Sequence, residues 1–314
     1  MEASTNSIIE QKLIVLNSKN ADKLNNEYLS NVRFNFRDIL RRDVDIFYTS
    51  VALLSAEIPC SFYNININNQ VLKYTVNSVG YTLTVPEGNY NATSFITAFL
   101  AQFNAGGHAH TISMAFNKLT GKITTTKVGG AFSIIYLSTG STICEVLGLL
   151  STVNYTITTT LSHPYMLNLL GVKKLKIMSP SFSMDSHDSA GQTSGTLLQT
   201  IPVTMPSYSL ITYQNTSTVM NRLKNKTINE IEIQIRDENN NLIDFNNVYW
   251  DMSIVLNIHR RAVVSQDDNL NLEDIAINTA ISNDETPMPT KKEIKIIKNK
   301  MDEDNLRQLE LLTL

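Results

Sequence analysis

The segment Glu230-Ile-Glu-Ile-Gln-Ile-Arg236 alternates strictly between isoleucine and polar or charged residues. Successive side chains of a β-strand point to opposite sides, so this alternation predicts a strand with one buried and one solvated face. A polar turn at Asp237-Glu-Asn-Asn-Asn241 follows the segment. We therefore expect a β-hairpin that returns through residues 242–245 to a strand over residues 249–258.

Strand-like patterns recur along most of the chain. Pro59 ends one long extended segment because proline cannot donate to a β-ladder, and Asn68-Asn69 marks a turn. Extended segments at this spacing predict an all-β fold, a single jelly-roll β-sandwich. The candidate strands before the hairpin are residues 12–16, 32–36, 45–58, 62–67, 71–76, 152–161, 169–178, 196–203 and 209–214.

One compact segment, residues 80–161, interrupts this pattern and predicts a small inserted α+β domain. Its strand Tyr81-Thr-Leu-Thr-Val85 and turn Pro86-Glu-Gly-Asn-Tyr90 lead into a periodic helix with apolar residues on one side. Three alternating strands, over residues 111–116, 122–127 and 132–137, and a short Ser/Thr-capped helix over residues 141–148 complete it. The apolar side of the long helix consists of Phe95, Ile96, Phe99, Leu100 and Phe103.

The flanking segments define the remaining predicted domain limits. Residues 11–79 and 162–263 form the jelly-roll domain, and the polar residues 1–10 form an N-terminal arm. Residues 264–314 form a helical or flexible C-terminal tail, because an acidic, Asn-rich stretch is followed by the breaker Thr286-Pro-Met-Pro-Thr290 and a lysine-rich helix candidate.

The composition is that of an ordinary globular protein with few charges. The 314 residues are 42% hydrophobic and 18% charged, and the formal net charge of −3 gives no overall attraction to nucleic acid or an acidic membrane. Cys60 and Cys144 are too few for a disulfide framework and are expected to be buried. The sequence shows no secretory signal and no apolar run approaching the roughly 20 residues of a membrane helix, so folding in a reducing cytoplasm is expected.

His108-Ala-His110 is the feature that most resembles a metal site, since residues i and i+2 of a strand face the same way. Metal-binding cupins, which are also jelly rolls, use such a pair followed by a glutamate. Met114 and Ala115 occupy the matching positions here, so an exposed polar loop is the favoured interpretation.

No other group of residues predicts catalysis. Asp185-Ser-His187-Asp188 places an acid, a hydroxyl and an imidazole side by side in a loop, whereas catalytic triads are assembled from separated, rigidly held segments. His163 and His259 are isolated, and no phosphate-binding glycine loop or zinc spacing is present. We therefore predict no catalytic, cofactor-binding or metal-binding residue and no enzymatic activity.

Several features could belong to the protein's own surface or to contacts with other molecules. Trp250 favours core packing, with an intersubunit contact as the alternative. Arg41-Arg42 and Arg260-Arg261 are expected to be solvated pairs, although either could touch a neighbouring subunit or nucleic acid. The tail lysines suit a solvated helix or contact with phosphate or an anionic membrane. These lysines are Lys291, Lys292, Lys295, Lys298 and Lys300.

Six segments together resemble the penton (vertex) capsid proteins of virophages, polinton-like viruses and related large double-stranded DNA viruses. The resemblance covers about residues 12–262. The segments are Leu13-Ile-Val-Leu-Asn-Ser18, the strand 50–58 ending in Ile58-Pro59, Phe62-Tyr-Asn-Ile-Asn66, Val85-Pro-Glu-Gly-Asn-Tyr90, Leu147-Gly148 and Ile258-His-Arg-Arg261.

The resemblance implies a structural viral capsid protein. Its single jelly roll would assemble as a homopentamer at the icosahedral vertices, among capsomers of the major capsid protein, through a heterologous interface. The insertion would face outward, where it could meet a host receptor, and the arm and tail would face inward. The protein would be synthesised in the host cytoplasm and located at the capsid vertex of the virion.

Two other functions stay open from the sequence. A minor capsid or cement protein, or a host-attachment spike-base protein, of the same kind of virus would share the fold. A cupin-like metal enzyme would depend on His108 and His110 alone.

Overall fold

A computed structural model describes residues 8–24, 28–40, 46–184, 195–217, 220–225 and 227–260. The predictions for Arg41-Arg42, Asp185–Asp188, Arg261, most of the N-terminal arm and the C-terminal tail therefore lie outside the described residues.

The described residues form mainly β-strands and one long α-helix. The strands are β1 (Ile8–Asn17), β2 (Asp22–Lys23), β3 (Asn31–Leu40), β4 (Ile46–Pro59), β5 (Val71–Val76), β6 (Val79–Thr84), β7 (Thr111–Asn117), β8 (Lys122–Val128), β9 (Ile134–Leu137), β10 (Tyr155–Ile157), β11 (Thr160–Met166), β12 (Lys174–Met178), β13 (Leu197–Pro202), β14 (Leu210–Gln214), β15 (Asn221–Leu223), β16 (Ile228–Arg236) and β17 (Asp251–Arg260). The helix is α1 (Ala92–Asn104).

Two antiparallel sheets form a jelly roll. The first has the order β1-β17-β4-β14, with β15 also paired to β4, and the second has the order β13-β12-β16-β3-β2. Consecutive long strands therefore alternate between the two sheets in the order typical of a jelly roll, which consists of two Greek keys. This confirms the predicted all-β, single jelly-roll fold.

The inner faces of these sheets share one apolar core. The alternating isoleucines of β16 are fully buried, as the opening pattern predicts, and β17 buries alternate residues from the other sheet. Each strand contributes every second side chain to the space between the two sheets, so the period-two pattern produces a core between two layers. Its inner rows include Ile231, Ile233 and Ile235 of β16 and Met252, Ile254, Leu256 and Ile258 of β17.

The predicted hairpin between β16 and β17 is wrong. The turn forms, since the Asp237 carboxylate accepts the backbone N–H groups of Asn239 and Asn241 at 2.8 Å. After one bridge between Arg236 and Leu242, however, the chain crosses to the other sheet, where β17 pairs with β1 and β4. Alternation specifies which side of a strand is buried but does not specify the pairing strand.

The insertion has two small sheets, α1 and an apolar core of its own. One sheet has the order β10-β9-β5-β6 and the other the order β11-β8-β7. Asn91 caps α1 by accepting the Ser94 N–H, and the Ser94 hydroxyl accepts the Asn91 N–H in return. Phe95, Phe99 and Phe103, one turn apart, are fully buried. The predicted helix and the three following strands are confirmed.

The predicted limits of the insertion are too narrow. β5, placed before residue 80, pairs with β6 and β9 and buries Leu72, Tyr74 and Val76 in the insertion's core. At the other end β11 extends to Met166, beyond residue 161. Strand patterns of the insertion and of the jelly roll are alike, so the sequence alone did not separate them.

Three further predictions need correction. Residues 8–10 belong to β1 and not to a free arm. Residues 62–67 form no strand, and only Ile65 makes an isolated bridge, to Gly88. Residues 141–148 form a single turn and not a helix.

Asn64 joins the two ends of the insertion. Its side-chain amide donates to the carbonyl oxygens of Tyr90 at 2.8 Å and Leu169 at 3.0 Å, and its side-chain oxygen accepts the Tyr90 N–H at 2.9 Å. One residue therefore satisfies backbone groups from the segment that enters the insertion's helix and from the segment that leaves the insertion.

Gly148 ends the turn that precedes β11 in the left-handed conformation, with a φ of 73°. The Leu149 N–H bonds to the Cys144 carbonyl at 2.8 Å and the Gly148 N–H to the Glu145 carbonyl at 3.2 Å, the pattern of a Schellman cap. A Cβ at Gly148 would lie 2.3 Å from the Tyr165 carbonyl oxygen. Glycine is therefore required both by the backbone angle and by the close approach of β11.

Replacing Gly148 by alanine should lower the free energy of unfolding by about 3 kcal/mol, because left-handed strain and a backbone clash act together. Gly129, with a φ of 78° and nothing within 4 Å of an added Cβ, is the matched control. Gly129→Ala should cost only about 1 kcal/mol. Denaturant unfolding of both variants measures the difference, and equal losses would contradict the role assigned to the contact with β11.

Candidate functional site

The two histidines of the candidate metal pair lie at one end of the insertion and are half buried, not simply exposed. The His108 Nε2 lies 2.9 Å from the Tyr74 hydroxyl, and its ring meets that of Phe103 at 4.7 Å. His110 stacks on Phe132 at 4.3 Å. Phe103 is near in sequence, but Tyr74 and Phe132 are distant, so the packing of the histidines could not be predicted from the loop-like composition around them.

The arrangement of the pair does not suit metal binding. The His108 and His110 rings are nearly parallel with centroids 6.3 Å apart, and the Nε2 of His108 already faces Tyr74. Within the described residues no group of three or more His, Cys, Asp or Glu side chains could hold a metal ion. The interpretation of these residues as packing groups is therefore favoured.

His163, which looks isolated in the sequence, is buried and has a hydrogen-bond partner at each ring nitrogen. Its Nδ1 lies 2.6 Å from the Leu147 carbonyl oxygen and must therefore donate, so the Nε2 accepts from the Thr125 hydroxyl at 3.0 Å. Burial lowers the pKa of His163 below its ordinary value, and the hydrogen bond to Leu147 opposes this shift. The neutral imidazole thus links β8, β11 and the turn ending at Gly148.

Both cysteines are buried and unpaired, as expected. Burial raises the pKa of the Cys60 thiol and of the Cys144 thiol, which disfavours the reactive thiolate. Neither residue has the environment of a nucleophile.

A cavity of about 340 Å³ lies between the turn after β16 and the start of the insertion. Arg236 and Asp237 of its lining are engaged in local structure, and Glu87 is a third charged group of the lining. The Arg236 guanidinium donates to Gln234 and to the Asn240 carbonyl, and the Asp237 carboxylate holds the turn. The cavity therefore presents no cluster of free acid and base groups for catalysis.

Trp250 belongs to the jelly-roll core. It is fully buried, its indole N–H donates to the Leu29 carbonyl at 2.8 Å, and its ring meets Phe34 edge-on at 6.2 Å. The core interpretation is confirmed, and an intersubunit contact through Trp250 is ruled out because no part of the ring reaches the surface.

Three exposed aliphatic side chains lie on the outer side of the first sheet along its edge strand, with the exposed Gln11 between the first two. Ile9, Leu13 and Val15 of β1 are 52%, 62% and 65% exposed. Val255 of β17 lies beside Leu13, and the His259 ring next to Ile9 stacks on Tyr48 at 3.9 Å. We call this surface the β1 face and define it as Ile9, Leu13, Val15, Tyr48, Val255 and His259.

β1 is also an open edge. No other described strand pairs with its outer side, so alternate backbone N–H and C=O groups of this ten-residue strand point away from the sheet. Charged side chains of β1 lie only in its first half. There the Glu10 carboxylate forms an ion pair with the Arg260 guanidinium at 2.9 Å, and this hydrogen bond lowers the pKa of Glu10. The second half, from Leu13 to Asn17, carries no charged side chain.

The outer face of the second sheet has the opposite character. Arg33 of β3 pairs with both Glu230 and Glu232 of β16, the former at 3.5 Å. Such cross-strand ion pairs suit a solvated surface. This charged surface therefore differs from the β1 face.

Within the described part of the chain no helix is long and apolar enough to cross a bilayer. The protein is thus a single jelly roll carrying an inserted α+β domain, with no assembled catalytic group among the described residues and one apolar edge surface.

Comparison with known proteins gives structural matches alone. No protein-family model matches the sequence, and no curated protein matches it. The chain is similar to the crystal structure of the selenomethionine-labelled mavirus penton protein, with a TM-score of 0.44 and 13% identity over 79% of this chain and 99% of that chain.

A second similarity is to a chain in the cryo-EM structure of the Sputnik virophage, with a TM-score of 0.37 and 10% identity over 80% of this chain and 97% of that chain. The first match is a penton protein, the class that the sequence resembles. At these identities and TM-scores the likenesses concern the fold alone.

The buried His163 should make the protein less stable in mild acid. The unfolded imidazole takes a proton near its ordinary pKa of 6.5, whereas the folded one takes it at a lower pH. Between these values the unfolded state holds more protons, so the free energy of unfolding falls as the pH decreases through 6.5 and levels off below the folded pKa. Each unit of separation corresponds to about 1.4 kcal/mol.

Denaturant midpoints at pH 7.5 and 5.5 measure this effect. In His163→Gln, which does not titrate there, the loss between the two pH values should be smaller, although the variant should be less stable at pH 7.5. An identical pH dependence in both proteins would contradict the assignment.

Proposed function

We propose that this chain is a structural subunit of a viral capsid that forms homopentamers at the icosahedral vertices. The observation that carries the proposal is the β1 face, an exposed apolar surface next to an open strand edge on a jelly-roll sandwich. A soluble protein rarely leaves a long, apolar edge strand uncovered, since it promotes association.

The composition of the β1 face favours a permanent contact. Fully burying an isoleucine, leucine or valine side chain contributes about 1.5–3 kcal/mol, and three such residues lie on the outer side of β1, two of them, Leu13 and Val15, next to each other. The adjacent stacked pair Tyr48 and His259 suits the aromatic content of interface cores. Burial lowers the pKa of His259, so its ring is neutral at pH 7 and can be covered without burying a charge.

The unlike faces of the sandwich favour a ring over a twofold dimer. A closed ring of five requires a heterologous interface, in which the β1 face of one subunit meets a different surface of the next. Since the second sheet presents cross-strand ion pairs, its outer face would not bury the β1 face of a neighbour well. We infer that the neighbouring surface is an edge of the sandwich or part of the insertion.

In the assembled shell the pentamer would contact capsomers of the major capsid protein. The insertion would face outward, where it could meet a host receptor, and the tail after residue 263 would face inward, toward nucleic acid or a membrane. The chain would be made in the host cytoplasm and reside in the virion. Under this proposal the chain has no enzymatic role and no cofactor.

A host-attachment role is the second candidate. It is favoured by the separate apolar core of the insertion, which allows this domain to change its surface without disturbing the jelly roll. A cement position between capsomers would use the same β1 face, and imaging of particles separates it from the vertex.

The proposal predicts that Leu13→Asp abolishes pentamers, because it would bury an uncompensated carboxylate in each interface, and we expect at least a tenfold weaker association. Leu119→Asp is the matched control, since Leu119 is 93% exposed on the turn between β7 and β8. Native mass spectrometry and electron microscopy of the purified chain measure ring formation. A wild-type protein that stays monomeric at high concentration and never enters particles would contradict the proposed function.

A further inference from the structure

The first sheet of the jelly roll has a second open edge, at β14. This strand pairs with β4, and no other described strand pairs with its outer side. The residues of β14, Leu210–Gln214, carry no charge, and the same is true of Leu13–Asn17 in the second half of β1. Two uncharged edges therefore lie on opposite sides of one sheet.

The backbone hydrogen bonds show which residues of β14 point away from the sheet. Just beyond the strand, the Asn215 N–H donates to the Leu54 carbonyl at 2.8 Å. Alternate residues of an antiparallel strand bond to the same partner. The backbone N–H and C=O groups of Leu210, Thr212 and Gln214 therefore point away from β4.

The same reasoning applies to β1. Just beyond this strand, the Ser18 N–H donates to the Trp250 carbonyl at 3.0 Å. The even-numbered residues of β1 therefore bond to β17. The backbone groups of Leu13, Val15 and Asn17 consequently point away from the sheet.

The two edges are compatible with each other. In both strands the residues with outward backbone groups lie on the outer side of the sheet, whereas Ile14, Leu16 and Ile211 between them face the core. Residues directly opposite in an antiparallel pair have their side chains on the same side of the sheet. Pairing β1 of one copy with β14 of another would therefore continue both sides of the sheet.

The strand directions match as well. β1 runs antiparallel to β17, β17 to β4 and β4 to β14, so β14 runs opposite to β1. Rotation about an axis parallel to the strands keeps these directions in every copy. Neighbouring β1 and β14 strands of a ring would therefore be antiparallel.

The two edges also lie at the same height in the sheet. Gln214 of β14 pairs with Ser55 of β4, which in turn pairs with Ser253 of β17. Ser253 pairs with Val15 of β1. Gln214 and Val15 are therefore level, and rotation without translation would bring them together.

The edge of the second sheet at β13 is blocked. The Val203 N–H donates to the Lys173 carbonyl at 2.9 Å, so the neighbouring Pro202 has its backbone nitrogen on the side that faces away from β12. Proline has no N–H to donate at this position, a common protection of an edge strand.

The other edge of the second sheet is short and charged. β2 consists of Asp22 and Lys23 and covers β3 only at Val32 and Arg33. The rest of β3 includes two further charged residues in its sequence, at positions 37 and 38. Charged residues in an edge strand disfavour pairing with another chain.

We propose that β1 of each subunit pairs with β14 of the next subunit, so that the first sheets of the pentamer join into one closed ring. The inference rests on the proposed capsid function and specifies the interface between its subunits. Such pairing would bury no charge, because neither Leu13–Asn17 nor Leu210–Gln214 contains a charged side chain. A twofold dimer through β1 would leave β14 of each copy open, whereas a ring covers both edges.

Thr212→Pro tests this pairing. The substitution removes an N–H group that points away from β4 and leaves the bonds to β4 in place, so the fold should persist. Association at each interface should weaken about tenfold, the equivalent of one net hydrogen bond. Native mass spectrometry over a range of concentrations measures ring formation, and circular dichroism checks the fold.

Thr200→Pro is the matched control. Thr200 is also an exposed threonine on an edge strand, β13, and its backbone groups point away from β12. Because this edge is not part of the proposed interface, Thr200→Pro should form rings as the wild type does.

Mixing two variants distinguishes a ring from a twofold dimer. Val15→Pro blocks β1 but keeps β14, whereas Thr212→Pro blocks β14 but keeps β1. With one variant isotopically labelled, the mixture should give dimers with one subunit of each variant in excess over dimers of either variant alone, and no rings. If β1 paired with β1, Thr212→Pro by itself would assemble like the wild type, which would overturn the inference.

Hydrogen exchange of the wild-type protein gives a test that needs no variant. The amides of Val15, Thr212 and Gln214 should exchange at least about tenfold more slowly in rings than in the dissociated chain, since pairing protects them. Unchanged exchange at these amides, or an equal loss of rings in Thr200→Pro and Thr212→Pro, would also overturn the inference. A wild-type protein that forms no rings contradicts the proposed capsid role, whereas rings that survive Thr212→Pro contradict only the β1–β14 pairing.

Discussion

The structure depends on one constraint: every second side chain of a strand is apolar, and the side of the sheet that carries these residues must pack against another layer. In the jelly roll, Ile231, Ile233 and Ile235 of β16 lie opposite the inner row of β17, and both rows are almost completely buried. A shift of one residue would move such a row to the solvent side, so register shifts by one residue are excluded. The composition of the core and the buried position of Trp250 follow from this constraint, whereas the sheet order does not.

The insertion meets the same constraint separately. Its own core is closed by the three phenylalanines of α1 and by β5, which buries Tyr74 completely. Asn64 provides hydrogen bonds where the segments that enter and leave come together. A domain that buries its own apolar residues can extend from the sandwich without weakening it, which leaves its outer loops available for recognition.

The surfaces divide in a corresponding way. The first sheet presents the apolar β1 face, and the second presents Arg33 paired with Glu230 and Glu232. On the insertion both carboxylates, Glu87 and Glu145, lie near the end at which the chain enters and leaves it. The sandwich therefore has one aliphatic edge surface and one surface of ion pairs, and the insertion has a core of its own.

The sequence by itself determined which side of β16 is buried and where the main helix lies. The isoleucine alternation in β16 and the spacing of Phe95, Phe99 and Phe103 were sufficient for this, since both depend on local geometry. The jelly-roll class followed from the number and spacing of such segments.

Only the tertiary structure decided which strands pair and which distant residues meet. β17 pairs with β1 and β4 and not with β16, β5 belongs to the insertion, and His108 packs on Tyr74 and Phe103. The same holds for the β1 face, because Ile9 and His259 are adjacent only after the chain ends of the jelly roll pair. A period-two pattern predicts the side of the strand on which a side chain lies. It does not predict which strand pairs with it, because that depends on packing between residues far apart in sequence.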